Sequence, residues 1–257
     1  MLPAHLYRYR PWPTSGTNRA KTSLWSCQFY FARARDFDDV HDGHRGAEAV
    51  GDHFDMDRFV TMDMLEIPPL LRKYRAGSII TKLTKEIVTD AADRRVLARV
   101  ERRHRRRDAT VLCFAEEPTN ELMWALYGDR NTGICFEFST AFDPFDKCIP
   151  VVYLRSPTDL DHFIGEDLPP IDPLLCAKSQ AWSFQKEWRL VDPSGRTRVL
   201  CFSPRSLTGI YVGHRFPQRE VTAIFSIIRR RGFEPPVYRI ERHPYSYKLM
   251  YRQIDGT

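Results

Sequence analysis

Short runs of β-branched and aromatic residues recur in both halves of the chain, at Leu24–Phe31, Thr110–Ala115, Ile134–Phe138, Val151–Leu154, Glu187–Val191, Val199–Phe202 and Ile210–Val212. Their length and composition predict strands. The period changes in PQREVTAIFSIIRRRG, where the apolar Val221, Ile224, Phe225 and Ile228 follow the i, i+3, i+4, i+7 spacing of a helix. Pro217 suits its first turn, the arginines suit its last, and Gly232 can end it. Because this helix lies between GIYVG and VYRIE, a strand, helix, strand unit is expected near the end of the fold. Two more helices are expected in the middle of the chain, around Asp55–Ile67 and from about Lys82 to Arg106, with a linker at Pro68–Gly77. Strands dominate on both flanks, so the pattern predicts one α+β domain over residues 1–257. It has a mixed, mostly antiparallel sheet and a helical insertion at about 50–108. The proline-rich or polar stretches Pro11–Thr22 and Ser156–Pro173 read as surface loops.

Composition agrees with a folded protein: of 257 residues, 42% are apolar and 28% charged, enough for a substantial core and incompatible with disorder throughout. The 39 Lys and Arg exceed the 33 Asp and Glu, leaving a net charge of +6. No run approaches the roughly 18 consecutive apolar residues of a membrane span, and the N-terminus has no continuous apolar signal core. A cytoplasmic protein without membrane contact is therefore expected. The cysteines Cys27, Cys113, Cys135, Cys148, Cys176 and Cys201 are scattered singly, several within apolar runs, and read as buried free thiols of a reducing compartment. Without a CxxC pair, a cysteine-based zinc site has little support.

Four segments bear candidate chemistry. In AWSFQKEWRLV, residues 181–191, Phe184, Trp188 and Leu190 alternate with polar residues, so in a strand Gln185, Glu187 and Arg189 project together from the opposite face. An acid beside an amide and a guanidinium can take a hydroxyl's hydrogen bond or stabilise a developing cation. The plain alternative is a polar strand face in water. The run ARDFDDVHDGH gathers Asp36, Asp38, Asp39, His41, Asp42 and His44, a density that suits a divalent cation or a turn. RVERRHRRR supplies Arg102, Arg103, Arg105, Arg106 and Arg107, either a phosphate-binding patch for nucleic acid or a solvated helix end. In PTNELMWALYGDRNTGICFEF, a short helix, a turn and a strand, Trp124 and Tyr127 share a helix face as a ligand wall or as core. The opening LYRYRPW places Tyr7 and Tyr9 on one strand face, with Arg8 and Arg10 on the other or pointing into a cleft.

Taken in order, LYRYR at 6–10, FARARDFDDVHD at 31–42, LCFAEEPTNELMWALYGDRNTGICFEF at 112–138, KSQAWSFQKEWRLV at 178–191 and IYVG at 210–213 resemble a bacterial family called domain of unknown function 2971. Two departures stand out. Phe37, Asp38, Asp39 and Val40 replace the family's F-N-D-P turn, and Gln185 replaces the first acid of its E-x-E pair. A weaker similarity, carried by the late Q-x-E strand and the basic first strand, is to the ADP-ribosyltransferase fold. That resemblance implies NAD as substrate, with Glu187 holding the nicotinamide ribose hydroxyl and stabilising an oxocarbenium-like transition state while Gln185 orients the acceptor. It further implies that Arg8 or Arg10 binds phosphate or ribose oxygens and that Tyr9 or Trp124 stacks on a ring, with Tyr127, Lys178 and Arg189 as further cofactor-binding candidates. The acceptor is expected to be nucleic acid or protein, and a toxin or phage-defence role with an antitoxin or other protein partner fits such an activity. Two other readings compete. One is a metal-dependent nuclease using Asp38, Asp39, Asp42 and Glu187; the other is a non-catalytic nucleic-acid-binding module relying on the arginines at 102–107.

Overall fold

The structure is a computed structural model that describes residues 1–37, 109–156 and 173–256. The expected helices at 55–67 and 82–106, the linker between them and the arginines at 102–107 lie outside the described residues, as does most of the Ser156–Pro173 stretch.

The first strand, β1 (His5–Arg10), is followed by helix α1 (Arg19–Ser26) and then by β2 (Gln28–Tyr30) and β3 (Ala32–Arg33). Helix α1 corrects the expectation of a strand from Leu24 and of a loop through Thr22. Asn18 caps the helix by accepting from the Lys21 N–H, and Ala20, Ser23 and Leu24 form its buried stripe. A local cap and a helical stripe thus override the β-rich look of the segment, which becomes a strand only after Cys27 adopts a left-handed turn. The chain continues through β4 (Thr110–Phe114), α2 (Glu121–Leu126), β5 (Ile134–Ser139), β6 (Ile149–Pro150), β7 (Val152–Leu154), β8 (Ala177–Ser179), β9 (Trp188–Asp192), β10 (Val199–Cys201) and β11 (Leu207–Val212). It ends with helix α3 (Gln218–Arg231), β12 (Val237–Arg242) and β13 (Leu249–Ile254).

Among the described residues these strands form a five-stranded sheet in the order β1-β5-β11-β12-β13 and a four-stranded sheet in the order β3-β4-β9-β6. Two ribbons, β10-β2 and β7-β8, accompany them. Most pairings are antiparallel, so the α+β class with mostly antiparallel sheets is present. Strands β11 and β12 are parallel and joined by α3, the expected crossover unit, and β13 extends the sheet beyond it. The two larger sheets meet at β1, where Tyr7 and Ala115 exchange backbone hydrogen bonds of 2.9 and 2.7 Å.

The main core lies on one face of the five-stranded sheet. Leu6, Phe136, Phe138, Ile210 and Val237 pack there against Leu24 of α1, Ile224 and Ile228 of α3, Phe29 and Phe202, and Leu112, Phe114 and Trp188 from the four-stranded sheet. Tyr9, Cys135, Tyr211 and Ile240 project from the opposite face, where Met123 and Trp124 of α2 cover part of it. Strand alternation explains the split, because β1 sends Leu6 and Arg8 one way and Tyr7 and Tyr9 the other. The cysteines carry no disulfide, and of the expected buried thiols Cys201 is exposed. It ends an edge ribbon, where one side of the strand faces water.

The turn from α2 to β5 is tight. Asp129, Arg130 and Asn131 all have positive φ, an arrangement that costs L-residues about 1–2 kcal/mol each. It persists because two glycines let backbones close on it: the Gly133 N–H donates to the Gly128 carbonyl at 2.8 Å, and the Gly213 N–H donates to the Gly133 carbonyl at 3.0 Å. A β-carbon at Gly213 would lie 2.2 Å from the Asn131 carbonyl oxygen. Gly213→Ala is therefore expected to destabilise the protein by about 3 kcal/mol, because the obstruction is backbone and cannot rotate away. Urea denaturation reads this, and a loss below about 0.5 kcal/mol would mean that the turn relaxes freely.

Candidate functional site

The expected Gln185, Glu187, Arg189 constellation exists, but a different geometry assembles it. Residues Gln180–Gln185 form a 3₁₀ helix, Lys186 takes a left-handed conformation at φ 43°, and β9 begins only at Trp188. Gln185 therefore does not share a strand with Arg189, and the three side chains do not line a polar face in water. All three are buried, with Arg189 at 0% exposure. The alternation holds only within β9, where Trp188 joins the main core while Arg189 faces the other side of the four-stranded sheet.

Lys178 on β8 joins the group together. Its Nζ donates to Gln185 Oε1 at 2.8 Å and to Glu187 Oε2 at 3.0 Å. Arg189 Nε donates to Glu187 Oε1 at 2.7 Å, and its Nη1 donates to the Leu175 carbonyl at 2.7 Å. Gln185 Nε2 donates to the Tyr127 hydroxyl at 2.8 Å, and the Glu187 backbone N–H donates to the Tyr153 hydroxyl at 2.8 Å. Asn120 both caps α2 and donates to the Phe184 carbonyl, which fixes Tyr127 relative to the 3₁₀ turn. The Lys178 ammonium lies 5.2 Å from the centre of the Trp182 ring, and the Arg189 guanidinium lies 5.2 Å from that of Phe37.

These contacts determine the charge states. Burial pushes the Glu187 carboxyl up, but the charges of Arg189 and Lys178, with hydrogen bonds from Arg189 and the Cys113 thiol, outweigh it and hold the group at about 2. Glu187 is ionised at any ordinary pH. Burial, reinforced by the Glu187 charge, pushes the Cys113 thiol well up, so it remains protonated. Burial also raises the Tyr127 and Tyr153 phenols, the latter to about 12. Both remain neutral and can donate as well as accept.

The opening strand reaches this centre through β4. Cys113 pairs with Arg189 in the sheet register, and Arg8 Nη1 donates to the Cys113 carbonyl at 2.6 Å. The Arg8 guanidinium lies 5.2 Å from the Phe29 ring centre and 5.8 Å from that of Phe114, and its Nε has no hydrogen-bond partner among the described residues. Burial and the neighbouring Arg10 lower its pKa to about 9. Arg10, at the end of the same strand, is lowered by burial and by Arg19.

The aromatic candidates fall elsewhere. Trp124 is 0% exposed, donates its indole N–H to the Pro118 carbonyl at 2.7 Å and meets Tyr9 edge-on at 5.1 Å. The buried Tyr9 donates its hydroxyl to the Glu117 carbonyl at 2.7 Å. Both belong to the core beneath α2, and Trp124 has no exposed ring face for a ligand. Its helical spacing to Tyr127 suited core and pocket wall equally; burial decides for core, and only Tyr127 contacts the polar centre. Sequence reasoning missed Tyr153 and Cys113. Tyr153 sits in an apolar strand-like run, and only the pairing of β7 with β8, which aligns Tyr153 with Lys178, reveals its place. Asp38, Asp39, His41, Asp42 and His44 lie outside the described residues, and Asp36 ends a short 3₁₀ turn, Ala34–Asp36. Among the described residues no group of three or more His, Cys, Asp and Glu could hold a metal ion, and no helix is long and apolar enough to cross a membrane. In comparisons with protein-family models, curated proteins and solved structures, the chain matches none.

Proposed function

We propose that the chain is an ADP-ribosyltransferase-like enzyme that cleaves NAD at the nicotinamide glycosidic bond and transfers ADP-ribose to a nucleic acid or protein acceptor. The observation that carries this reading is the pairing of Glu187 and Gln185 on one ammonium, Lys178, at a seam that also brings in Arg8 from the first strand. A carboxylate that steadies an oxocarbenium-like cation must be ionised and held in place before the reaction, and Glu187 meets both requirements. Buried charge clusters cost desolvation energy, and strongly shifted ionisable groups gather at functional sites.

In this reading the ribose hydroxyl exchanges with Lys178 at Glu187 Oε2, and Arg189 continues to hold Oε1. Lys178 remains tied to Gln185, whose amide faces the acceptor together with the Tyr127 hydroxyl. Arg8 and Arg10 serve the phosphates. The nicotinamide leaves with the electron pair of the broken C–N bond, and the acceptor's nucleophile forms the new bond to the same carbon as its own proton passes to solvent.

The test is nicotinamide release from NAD by the purified chain. Turnover is expected, and Tyr127→Phe, which removes only the hydroxyl that meets Gln185, is expected to lower transfer about tenfold while costing about 1 kcal/mol of stability, because the buried Gln185 amide loses that acceptor. Absence of NAD consumption with every acceptor class tried, in protein shown to be folded, would overturn the assignment.

A further inference from the structure

The hairpin of β12 and β13 lies at the edge of the five-stranded sheet opposite β1, roughly 19 Å away at the usual strand spacing. In its register Tyr238 faces Gln253, Ile240 faces Tyr251 and Arg242 faces Leu249. Directly paired residues share a sheet face, so these six side chains lie on the side away from α3. Val237, Arg239 and Glu241 occupy the other side, where Val237 enters the main core and Arg239 binds the Phe216 carbonyl and Gln218 beside the start of α3.

The outer side is an aromatic platform. Tyr211 is its buried floor, stacked on Tyr238 at 4.9 Å, and Tyr251 stands edge-on to both at 5.2 and 5.1 Å. On the same face, the Glu137 carboxylate accepts from the hydroxyls of Tyr211 and Thr208, an arrangement that orients the floor ring. Tyr251 is 46% exposed, and at the tip of the hairpin Tyr245 and Tyr247 are 93% and 98% exposed. The two tip rings add nothing to the core, so their contribution to folding is negligible.

Charge follows the rings. Residues 237–254 carry Arg239, Arg242, Lys248 and Arg252, while Glu241 is the single acid and already pairs with Arg252 at 2.8 Å. Arg242 and Lys248 are exposed at the base of the tip, with no ion-pair partner among the described residues. Flat rings in water beside unpaired cations fit one ligand chemistry: bases that stack and phosphates that pair. In a duplex the base faces are already stacked on each other, so an accessible strand must be single.

We propose that this hairpin face binds single-stranded nucleic acid, with Tyr245, Tyr247 and Tyr251 stacking bases and Arg242 and Lys248 holding the phosphates. The proposal stands whether or not NAD is cleaved at the Glu187 centre.

The experiment is fluorescence anisotropy on the whole chain with labelled oligothymidylate, oligouridylate and a mixed-sequence duplex. One or both single strands should bind at least tenfold more tightly than the duplex. Tyr245→Ala with Tyr247→Ala should weaken binding at least tenfold without moving the thermal midpoint, because both rings stand almost wholly in water. Arg242→Ala with Lys248→Ala should weaken it too and flatten the slope of log affinity against log salt by about 1.4, the amount expected for two phosphate contacts on a single strand. No single-strand binding, equal affinity for duplex, or unchanged affinity in the tyrosine variant would overturn the proposal. So would sedimentation showing that the tip tyrosines instead hold two copies of the chain together.

Discussion

Glu187→Gln lowers the unfolding free energy by about 3–5 kcal/mol, because it removes the carboxylate from a buried ion pair that both Lys178 and Arg189 enter. The effect depends on pH in a defined direction. Glu187 is held at about 2 in the folded protein, below its ordinary unfolded value, so its contribution is complete above that unfolded value. It is lost as pH falls through the unfolded value toward 2. Urea melts of the two proteins should therefore differ most near neutrality and converge in acid; a constant difference down to low pH would place the stabilisation elsewhere. A companion variant separates structure from chemistry. Replacing the whole triad at once, as Lys178→Met, Glu187→Gln and Arg189→Met, removes the buried cations together with the acid and should recover much of the lost stability. NAD cleavage should remain absent in that folded protein. If the triad variant turned NAD over normally, Glu187 would be a structural ion and the proposed chemistry would fail.

Phe138→Ala should cost about 3–5 kcal/mol, comparable to the loss of the acid but with no dependence on pH. Phe138 is fully buried at the centre of the aromatic core. Its ring meets Phe145 in a stacked pair at 4.6 Å and Phe202 and Phe29 edge-on at 5.0 and 5.3 Å, with Phe114 and Phe136 at 6.3 and 6.5 Å. These partners come from both larger sheets and from the β10-β2 ribbon, so the ring joins three sheets at one point. Truncation leaves a cavity whose walls are held by separate backbones and cannot collapse together. Thermal denaturation reads the loss, and a penalty near 1 kcal/mol would mean that the sheets close over the gap.

Much of the fold was legible because its signals are local. The α3 stripe of Val221, Ile224 and Ile228, with its arginine-rich last turn and Gly232 in a left-handed cap, needs only the helical period and capping chemistry to be read. The core strands β4, β5 and β11 announce themselves as apolar runs flanked by turn residues. The segment from Leu24 to Phe31 misled because β-rich composition extends into α1, and the decisive signal, Asn18 as cap, lies upstream of the run. At the candidate site, residue types were legible but their geometry was not. Alternation assigned Gln185, Glu187 and Arg189 to one strand face, whereas a 3₁₀ turn and the left-handed Lys186 interrupt the strand before Trp188. A hydrophobic period cannot register a single residue of positive φ.

The sequence by itself determined the α+β class, the crossover helix α3, the split of β1 into a tyrosine side and an arginine side, and the concentration of ionisable groups near Glu187. Each follows from short-range preferences, the reach of a helix turn or a strand pleat. Only the tertiary structure decided that Lys178 bridges Glu187 and Gln185, that Tyr153 and Cys113 complete their surroundings, that Trp124 is core, and that the outer rings of β12 and β13 face water. Those outcomes depend on which strands become neighbours, and neighbour choice is made by the burial of surfaces distant along the chain, which no local pattern encodes.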